Sequence, residues 1–329
     1  MDAWSTWGLK GKIFFIEQKI PFELFGNKKY LFYITPGNGY PLSLPLNESF
    51  LCTLMGEFSE PKIKLIFLFF VGLSLIVINI YANFLNKIER FALSCIFLFT
   101  PLVIHHSIGY FSGCADIIFM FYNFLTFIML WKYFIIKRKI YFYLSAIFAG
   151  ICLWTKLEGL ITTMVFILTL LYLFPKKKVV SLTLKFLGLI LVINAPWALV
   201  RFSYSIKEAL FLDFKFPILR IKGFLHLLFT EVNMVSKWDF FWWLFIPFFF
   251  TVFLKKGKQA RYFILVFILQ VFFYFFITTF SSALFSSSLK FYPASPLDRL
   301  LLQTFLIAIF IMALSLNKKE QNWFSKEKS

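Results

Sequence analysis

The sequence predicts an all-α polytopic membrane protein with about nine transmembrane helices and an outward-facing first loop that contains short helices. The main observation is composition: 60% of the 329 residues are hydrophobic, 50 are Phe and only 15% are charged. A soluble fold of this length could not bury so much apolar surface. The composition also excludes disordered, collagen-like, coiled-coil and small disulfide-rich proteins.

Long apolar segments recur along the chain and are predicted to be transmembrane helices, because a helix satisfies its own backbone hydrogen bonds in hydrocarbon. Several of them are shorter than the roughly 20 residues of a full span. The segments run over residues 65–82, 91–108, 113–131, 140–155, 160–174, 179–200, 238–254, 260–280 and 299–316.

The basic residues predict how the helices are oriented. Every second predicted loop is short and rich in Lys and Arg, and such loops are cytoplasmic by the positive-inside rule. The net charge of +18 is therefore interpreted as a matter of topology, and nucleic acid is not an expected partner. The C-terminus is then inside. The extracytoplasmic segments are predicted at residues 1–64, 105–113, 156–159, 201–237 and 281–298.

Three parts follow from this topology. Residues 1–64 form the first extracytoplasmic loop, residues 65–316 the transmembrane domain, and residues 317–329 a basic cytoplasmic tail. Within the transmembrane domain, residues 201–237 are predicted to be an amphipathic element along the outer surface. An external N-terminal segment with neither a signal peptide nor a preceding helix is difficult to insert, so we expect an upstream helix to be missing from this chain. The alternative is a short N-terminal tail that translocates.

Polar residues collect at the predicted outer ends of the helices, where ionisable groups are functional candidates. Carboxylates beside Lys or Arg suit a reaction that deprotonates a nucleophile and stabilises an anionic leaving group. For Asp116, an ion pair with Lys156 that tethers two helix ends is an equally good interpretation. The clusters are residues 2–12, Asp116 after His105 and His106, residues 155–159, and Asp298 with Arg299.

Metal and disulfide sites are not predicted. His105 and His106 could bind a metal ion with Asp116, but adjacent residues point in different directions on a helix, which favours an interfacial role. No metal ligands are therefore assigned. The four cysteines form no Cys-x-x-Cys pair, and three of them lie in apolar runs where Cys acts as a small hydrophobic residue. They are Cys52, Cys95, Cys114 and Cys152.

Five short motifs, in order along residues 2 to about 303, give the chain a family resemblance. It resembles bacterial polytopic glycosyltransferases related to family 39, the protein O-mannosyltransferase-like members of the GT-C superfold. This sequence departs from the family pattern in two ways. Residues 111–114 interrupt the Gly-Tyr-Ala-Asp motif. The family also has a complete helix before the first-loop Asp, and this sequence shows none there. The motifs are the Asp-, Trp- and Lys-containing residues 2–12, Tyr-Pro-Leu-x-x-Pro at 40–45, Gly-Tyr to Ala-Asp at 109–116, Leu-Trp-Thr-Lys-Leu-Glu-Gly at 153–159 and Leu-Asp-Arg-Leu-Leu-Leu-Gln at 297–303.

The resemblance implies transfer of a sugar from a polyprenyl-phosphate donor to a glycolipid, polysaccharide or protein acceptor, by inverting displacement. It implies an integral protein of the bacterial inner membrane with an extracytoplasmic active site, in contact with membrane lipids. A divalent cation is neither required nor excluded. Asp2 is the expected general base. The other candidates are Asp116 for catalysis, Lys10, Lys12, Lys156 and Arg299 for the donor phosphate, and Trp4, Tyr40 and Glu158 for substrate.

Two other functions stay open from the sequence. A polytopic bundle with polar residues at one face could be a lipid-linked-sugar flippase or another transporter. Transporters usually have internal repeats and charges near the middle of the membrane, whereas here no repeat is visible and the charges lie at one predicted surface. The chain could also be an inactive truncated remnant that lacks the helix needed to position Asp2.

Overall fold

The computed structural model describes residues 7–25, 39–109, 112–206, 217–254, 257–280 and 297–317, and in these ranges the regular structure is helical, without strands. A 3₁₀ turn covers Phe22–Phe25. The helices are α1 (Leu9–Glu17), α2 (Ser43–Met55), α3 (Glu60–Ile63), α4 (Leu65–Tyr81), α5 (Lys87–Phe99), α6 (Pro101–Ser107), α7 (Asp116–Ile136), α8 (Lys139–Thr155), α9 (Gly159–Leu173), α10 (Lys176–Ser203), α11 (Pro217–Val232), α12 (Val235–Trp238), α13 (Phe241–Leu254), α14 (Lys258–Phe280) and α15 (Leu297–Leu316).

The apolar helices indicate a membrane protein. Among the described residues, five helices are long and apolar enough to cross a membrane: α3 with α4, α7, α10, α14 and α15. The bent pair α5 and α6 would be a sixth, and α8, α9 and α13 are apolar but shorter. Helices thus occur over all nine predicted segments, while nine complete spans stay a prediction.

The predicted helix over residues 91–108 is interrupted in the structure. It consists of α5 and α6, which meet at an angle of 60°. Thr100 between them has an extended backbone, with φ −62° and ψ 118°. The following residue, Pro101, explains the break, because proline lacks an N–H donor and disfavours helical geometry in the residue before it. The prediction of one continuous helix was therefore wrong here.

The chain divides into two compact units, and two of the three boundaries fall within α4 and α6. The first unit contains residues 1–74 and 104–208, and the second contains residues 75–103 and 209–329. In the first unit, α7, α9 and α10 all pack against α8. α7 is buried along most of its length. Phe166 of α9 and Phe186 of α10 stack with ring centroids 3.7 Å apart.

The N-terminal helices of the first unit cover one end of this bundle. α1 packs against α2, and α2 also contacts α8. Phe14 of α1, the 3₁₀ turn and Trp197 near the end of α10 share an apolar cluster, against which Trp154 near the end of α8 packs. Residues 9–25 and 42–46 therefore lie at the end of the bundle where α8 and α10 terminate.

Gly11 allows α1 to lie close to α2. A Cβ atom at Gly11 would lie 2.6 Å from Oε2 of Glu48 and 3.3 Å from the backbone oxygen of Pro45. Since packed helices must move apart to accept an extra methyl group, we expect Gly11→Ala to lower the free energy of unfolding by about 1–3 kcal/mol. Thermal unfolding in detergent measures the change.

Gly188 of α10 provides the matched control. A Cβ atom there has no neighbour within 4 Å, so Gly188→Ala should be neutral or stabilise the helix by up to about 1 kcal/mol. Equal melting temperatures for the two alanine variants would contradict the close packing of α1 on α2.

In the second unit, α15 is the most buried helix, and α5, α13 and α14 all contact it. Aromatic rings fill the interfaces. Phe305 of α15 lies 4.4 Å from Phe241 of α13 between ring centroids, and Phe310 lies 4.7 Å from Phe263 of α14. α11 packs against α14 through Phe224. It lies in the predicted amphipathic segment, and its place at a membrane surface stays a prediction.

Candidate functional site

A tight turn between α8 and α9 positions two of the predicted site residues. Lys156 follows the last residue of α8 with an extended backbone, and Glu158 directly precedes α9. The backbone N–H of Gly159 donates to the oxygen of Lys156 at 3.0 Å. A Cβ atom at Gly159 would lie 2.4 Å from Cα of Leu153, so only glycine fits this close approach. The turn thus holds Lys156 and Glu158 on successive helix ends.

The Lys156 ammonium lies between two carboxylates. Its Nζ is 2.7 Å from Oδ1 of Asp116, the first residue of α7, and 3.1 Å from Oε1 of Glu158. The side chains of Lys156 and Asp116 are 2% and 0% exposed, while Glu158 is 24% exposed. The structure therefore contains the ion pair expected between Asp116 and Lys156, with Glu158 at its more accessible side.

Two further residues, His106 and Cys114, lie close to Asp116. Nδ1 of His106 lies 3.8 Å from Oδ2 of Asp116, and both side chains are fully buried. His105, by contrast, is exposed. Potential ligand atoms of His106, Cys114 and Asp116 lie within 4.8 Å of one another, so these residues could hold a metal ion. The sequence analysis had considered His106 for this role but had not included Cys114.

Two of the predicted site residues of the first loop, Asp2 and Trp4, lie outside the described residues. Lys10 is buried on α1, and the Lys12 ammonium lies 5.6 Å from the ring centroid of Phe58. The Tyr40 ring packs edge-on against Trp7 at 5.3 Å. α1 therefore presents two lysines within the part of the first unit that covers the ends of α8 and α10.

The second unit has a similar arrangement, in which Lys237 lies between two carboxylates. Its Nζ is 3.0 Å from Oε2 of Glu231 and 2.8 Å from Oδ2 of Asp298. The indole N–H of Trp238 donates to Glu231 at 3.2 Å. Arg299, the last predicted phosphate ligand, donates its backbone N–H to Asp298. Lys237 and Glu231 are not apparent as site residues from the sequence, because they lie 61 residues or more from Asp298.

The pKa values of both Glu231 and Lys237 are raised in this second cluster. Burial raises the pKa of Glu231, and the charge of Asp298 raises it further against the opposing effect of Lys237. Burial lowers the pKa of Lys237, but hydrogen bonds and charges from Asp298 and Glu231 outweigh this effect and raise it overall. Lys237 is therefore a permanent cation that compensates two partly buried carboxyl groups.

Glu48 on α2 is a further buried carboxyl group that the sequence analysis did not single out. It is 1% exposed, and its Oε2 accepts no hydrogen bond from the part of the chain that the structure describes. Burial raises the pKa of Glu48 to about 8. The carboxyl group is consequently protonated over most of the neutral range. A helical prediction for residues 43–55 with an apolar face would have pointed to it.

Asp116, Lys156, Glu158, His106 and Cys114 place groups of different chemistry close together. Lys156 supplies a positive charge for a phosphate, whereas Asp116, with His106 and Cys114, supplies electron-pair donors for a metal. No protein-family model, curated protein or solved structure matches this chain. The resemblance to family 39 glycosyltransferases thus stays a prediction that rests on the five motifs.

Proposed function

We propose that the protein is a membrane glycosyltransferase that transfers a sugar from a polyprenyl-phosphate donor to an acceptor at the extracytoplasmic face of a bacterial inner membrane. The observation that carries the proposal is the contact of Asp116 with Lys156 and, through it, with Glu158. These residues come from two motifs of the family resemblance that are 40 positions apart in the sequence. Their direct contact brings two of the motifs together, as a shared site requires, although the helix-tethering ion pair predicts the same contact.

In the proposed reaction, Asp2 removes a proton from the acceptor hydroxyl, whose oxygen attacks the anomeric carbon of the sugar. The bond from that carbon to the phosphate oxygen breaks, and polyprenyl phosphate leaves with both bonding electrons. One direct displacement inverts the configuration and needs one base. The leaving phosphate gains negative charge, so cations close to it lower the barrier.

Lys156 is the cation that the structure describes most completely. Its ammonium already forms an ion pair with Glu158, the more exposed of its two carboxylate partners. A donor phosphate would compete with Glu158, because both are anions that seek the same ammonium and Glu158 can turn towards solvent. Asp116 would keep Lys156 in place during this exchange. Lys10 or Lys12 of α1, or Arg299 of α15, are the alternative phosphate ligands, and Trp4 and Tyr40 are the proposed sugar contacts.

A transfer assay tests the proposal. The protein, expressed from its full open reading frame and reconstituted in lipid, is given labelled polyprenyl-phosphate sugars and a membrane extract as acceptor. We expect Asp2→Asn to lower transfer by about 10²- to 10⁴-fold without affecting membrane insertion, because the amide cannot accept the proton.

Asp239→Asn is the matched control. Asp239 is exposed and is not one of the proposed site residues, and asparagine has nearly the same shape as aspartate, so this variant should retain transfer. Normal transfer by Asp2→Asn would remove the catalytic assignment. If the well-folded protein transferred no sugar from any of several donors, the proposal would be wrong, and donor translocation would then be the activity to measure.

A further inference from the structure

We propose that His106, Cys114 and Asp116 form a binding site for a zinc ion. One ring nitrogen of His106, Sγ of Cys114 and one carboxylate oxygen of Asp116 all lie within 4.8 Å of one another. All three side chains are buried. The site lies within the first unit and is built on the end of α6 and the start of α7.

The donor atoms favour zinc over harder cations. Imidazole nitrogen, thiolate sulfur and carboxylate oxygen are the usual zinc ligands in proteins, whereas Mg²⁺ and Ca²⁺ prefer oxygen donors alone. Tetrahedral zinc places such donors about 3.3–3.6 Å apart, as follows from its bond lengths. The three atoms, which lie within 4.8 Å of one another, therefore need to approach by up to about 1.5 Å, a movement that side-chain rotation can supply. A water molecule would be the fourth ligand.

The backbone between the two helices brings the ligands together. Gly109 follows α6, and a Cβ atom there would lie 2.8 Å from Cα of His105, so the chain leaves the helix with a tight turn. Gly113 has a φ of 106°, which side-chain-bearing residues rarely adopt. It directly precedes Cys114, shortly before α7 begins. A residue with a side chain at either glycine would strain the backbone next to the proposed ligands.

The electrostatic environment also suits a divalent cation. Asp116 contacts Lys156 through Oδ1 and lies nearest His106 through Oδ2, so zinc can bind Oδ2 without breaking the ion pair. The thiol of Cys114 releases its proton to solvent when zinc binds. Thiolate and carboxylate then neutralise the two charges of the ion. Glu158 balances the neighbouring charge of Lys156.

Zinc at this position would have a positioning role. It would tie the end of α6 to the start of α7 and fix the orientation of Asp116, which in turn holds Lys156. The inference does not depend on sugar transfer, because metal binding is measured directly. A protein that transfers no sugar could still bind zinc, and a protein that binds no zinc could still transfer sugar. The two failures are therefore distinguishable.

Metal content of the purified protein tests the inference. Protein purified in detergent is treated with a chelator, incubated with zinc sulfate, desalted and analysed by mass spectrometry for metal. We expect about one zinc ion per chain, and almost none in Cys114→Ser or His106→Gln, since a three-ligand site loses tight binding with one ligand. The exposed neighbour His105 and the buried Cys52 of α2 give the controls His105→Gln and Cys52→Ser, which should retain zinc.

A second measurement applies to the unmodified protein, so it remains decisive even where a ligand variant does not fold. X-ray absorption of the zinc-loaded protein should show one sulfur neighbour at about 2.3 Å among nitrogen and oxygen neighbours. Zinc bound without sulfur, no zinc bound, or equal loss of zinc in His105→Gln and His106→Gln would each overturn the proposal.

Discussion

Lys156→Met is expected to lower the free energy of unfolding by about 3–5 kcal/mol, because it leaves the charge of Asp116 buried without its ammonium partner. The Asp116 side chain is 0% exposed and depends on Lys156 Nζ at 2.7 Å. Glu158 loses the same partner but can be hydrated, since it is 24% exposed. Thermal unfolding in detergent, with a chelator present, measures the effect without a contribution from bound metal.

A double variant distinguishes a buried charge from lost packing. Asp116→Asn with Lys156→Met removes both charges, so it should be more stable than Lys156→Met alone, with a coupling of up to about 3 kcal/mol. Lys62→Met is the control, because Lys62 pairs with Glu57 on an exposed surface and its loss should have no measurable effect. If the double variant were as unstable as Lys156→Met, packing of the lysine chain would explain the loss.

Much of the fold could be predicted from hydrophobicity alone. Each of the nine predicted apolar segments contains a helix, since an apolar run of this length has few other ways to satisfy its backbone. The break at Thr100 was also present in the sequence, because Pro101 could have been used to end the preceding helix. The division into two units could not be predicted, since it depends on which helices pack together, and apolar composition is almost uniform along the chain.

The charged residues of the candidate site could be predicted from the sequence, because they lie at the ends of predicted helices. Asp116 and Lys156 are conspicuous because charges are rare in the surrounding apolar sequence, and their contact follows once α7 and α8 are antiparallel neighbours. Cys114 gave no such signal, because a cysteine in an apolar region is usually a small hydrophobic residue. Its approach to His106 depends on the backbone geometry of Gly113, which spacing does not reveal.

The stability of the protein is expected to fall with rising pH because of Glu48. Its carboxyl group is buried between α1 and α2, outside the candidate membrane spans, and burial raises its pKa from an ordinary 4.5 to about 8. Gly11 lies directly against the carboxyl group, so water has little room to hydrate a charge there. Ionisation of Glu48 should therefore weaken the packing of α1 on α2.

The direction follows from proton binding in the two states. Below pH 4.5 Glu48 is protonated in both the folded and the unfolded chain, and its contribution to stability is fully present. Between pH 4.5 and about 8 the unfolded chain releases the proton while the folded chain retains it. The free energy of unfolding then falls by about 1.4 kcal/mol per pH unit, or about 5 kcal/mol over the whole window. Above this window the contribution is lost.

Glu48→Gln isolates this contribution, because glutamine resembles the protonated carboxyl group but cannot ionise. The variant should be about as stable as the unmodified protein at pH 5 and more stable than it at pH 8, when melting in detergent is followed across this range. Glu17→Gln, at an exposed position of α1, should leave the pH profile unchanged. Parallel profiles for Glu48→Gln and the unmodified protein would show that Glu48 has the same pKa in the folded and unfolded chain. The carboxyl group would then be hydrated, and α1 and α2 could not enclose it as the close approach of Gly11 indicates.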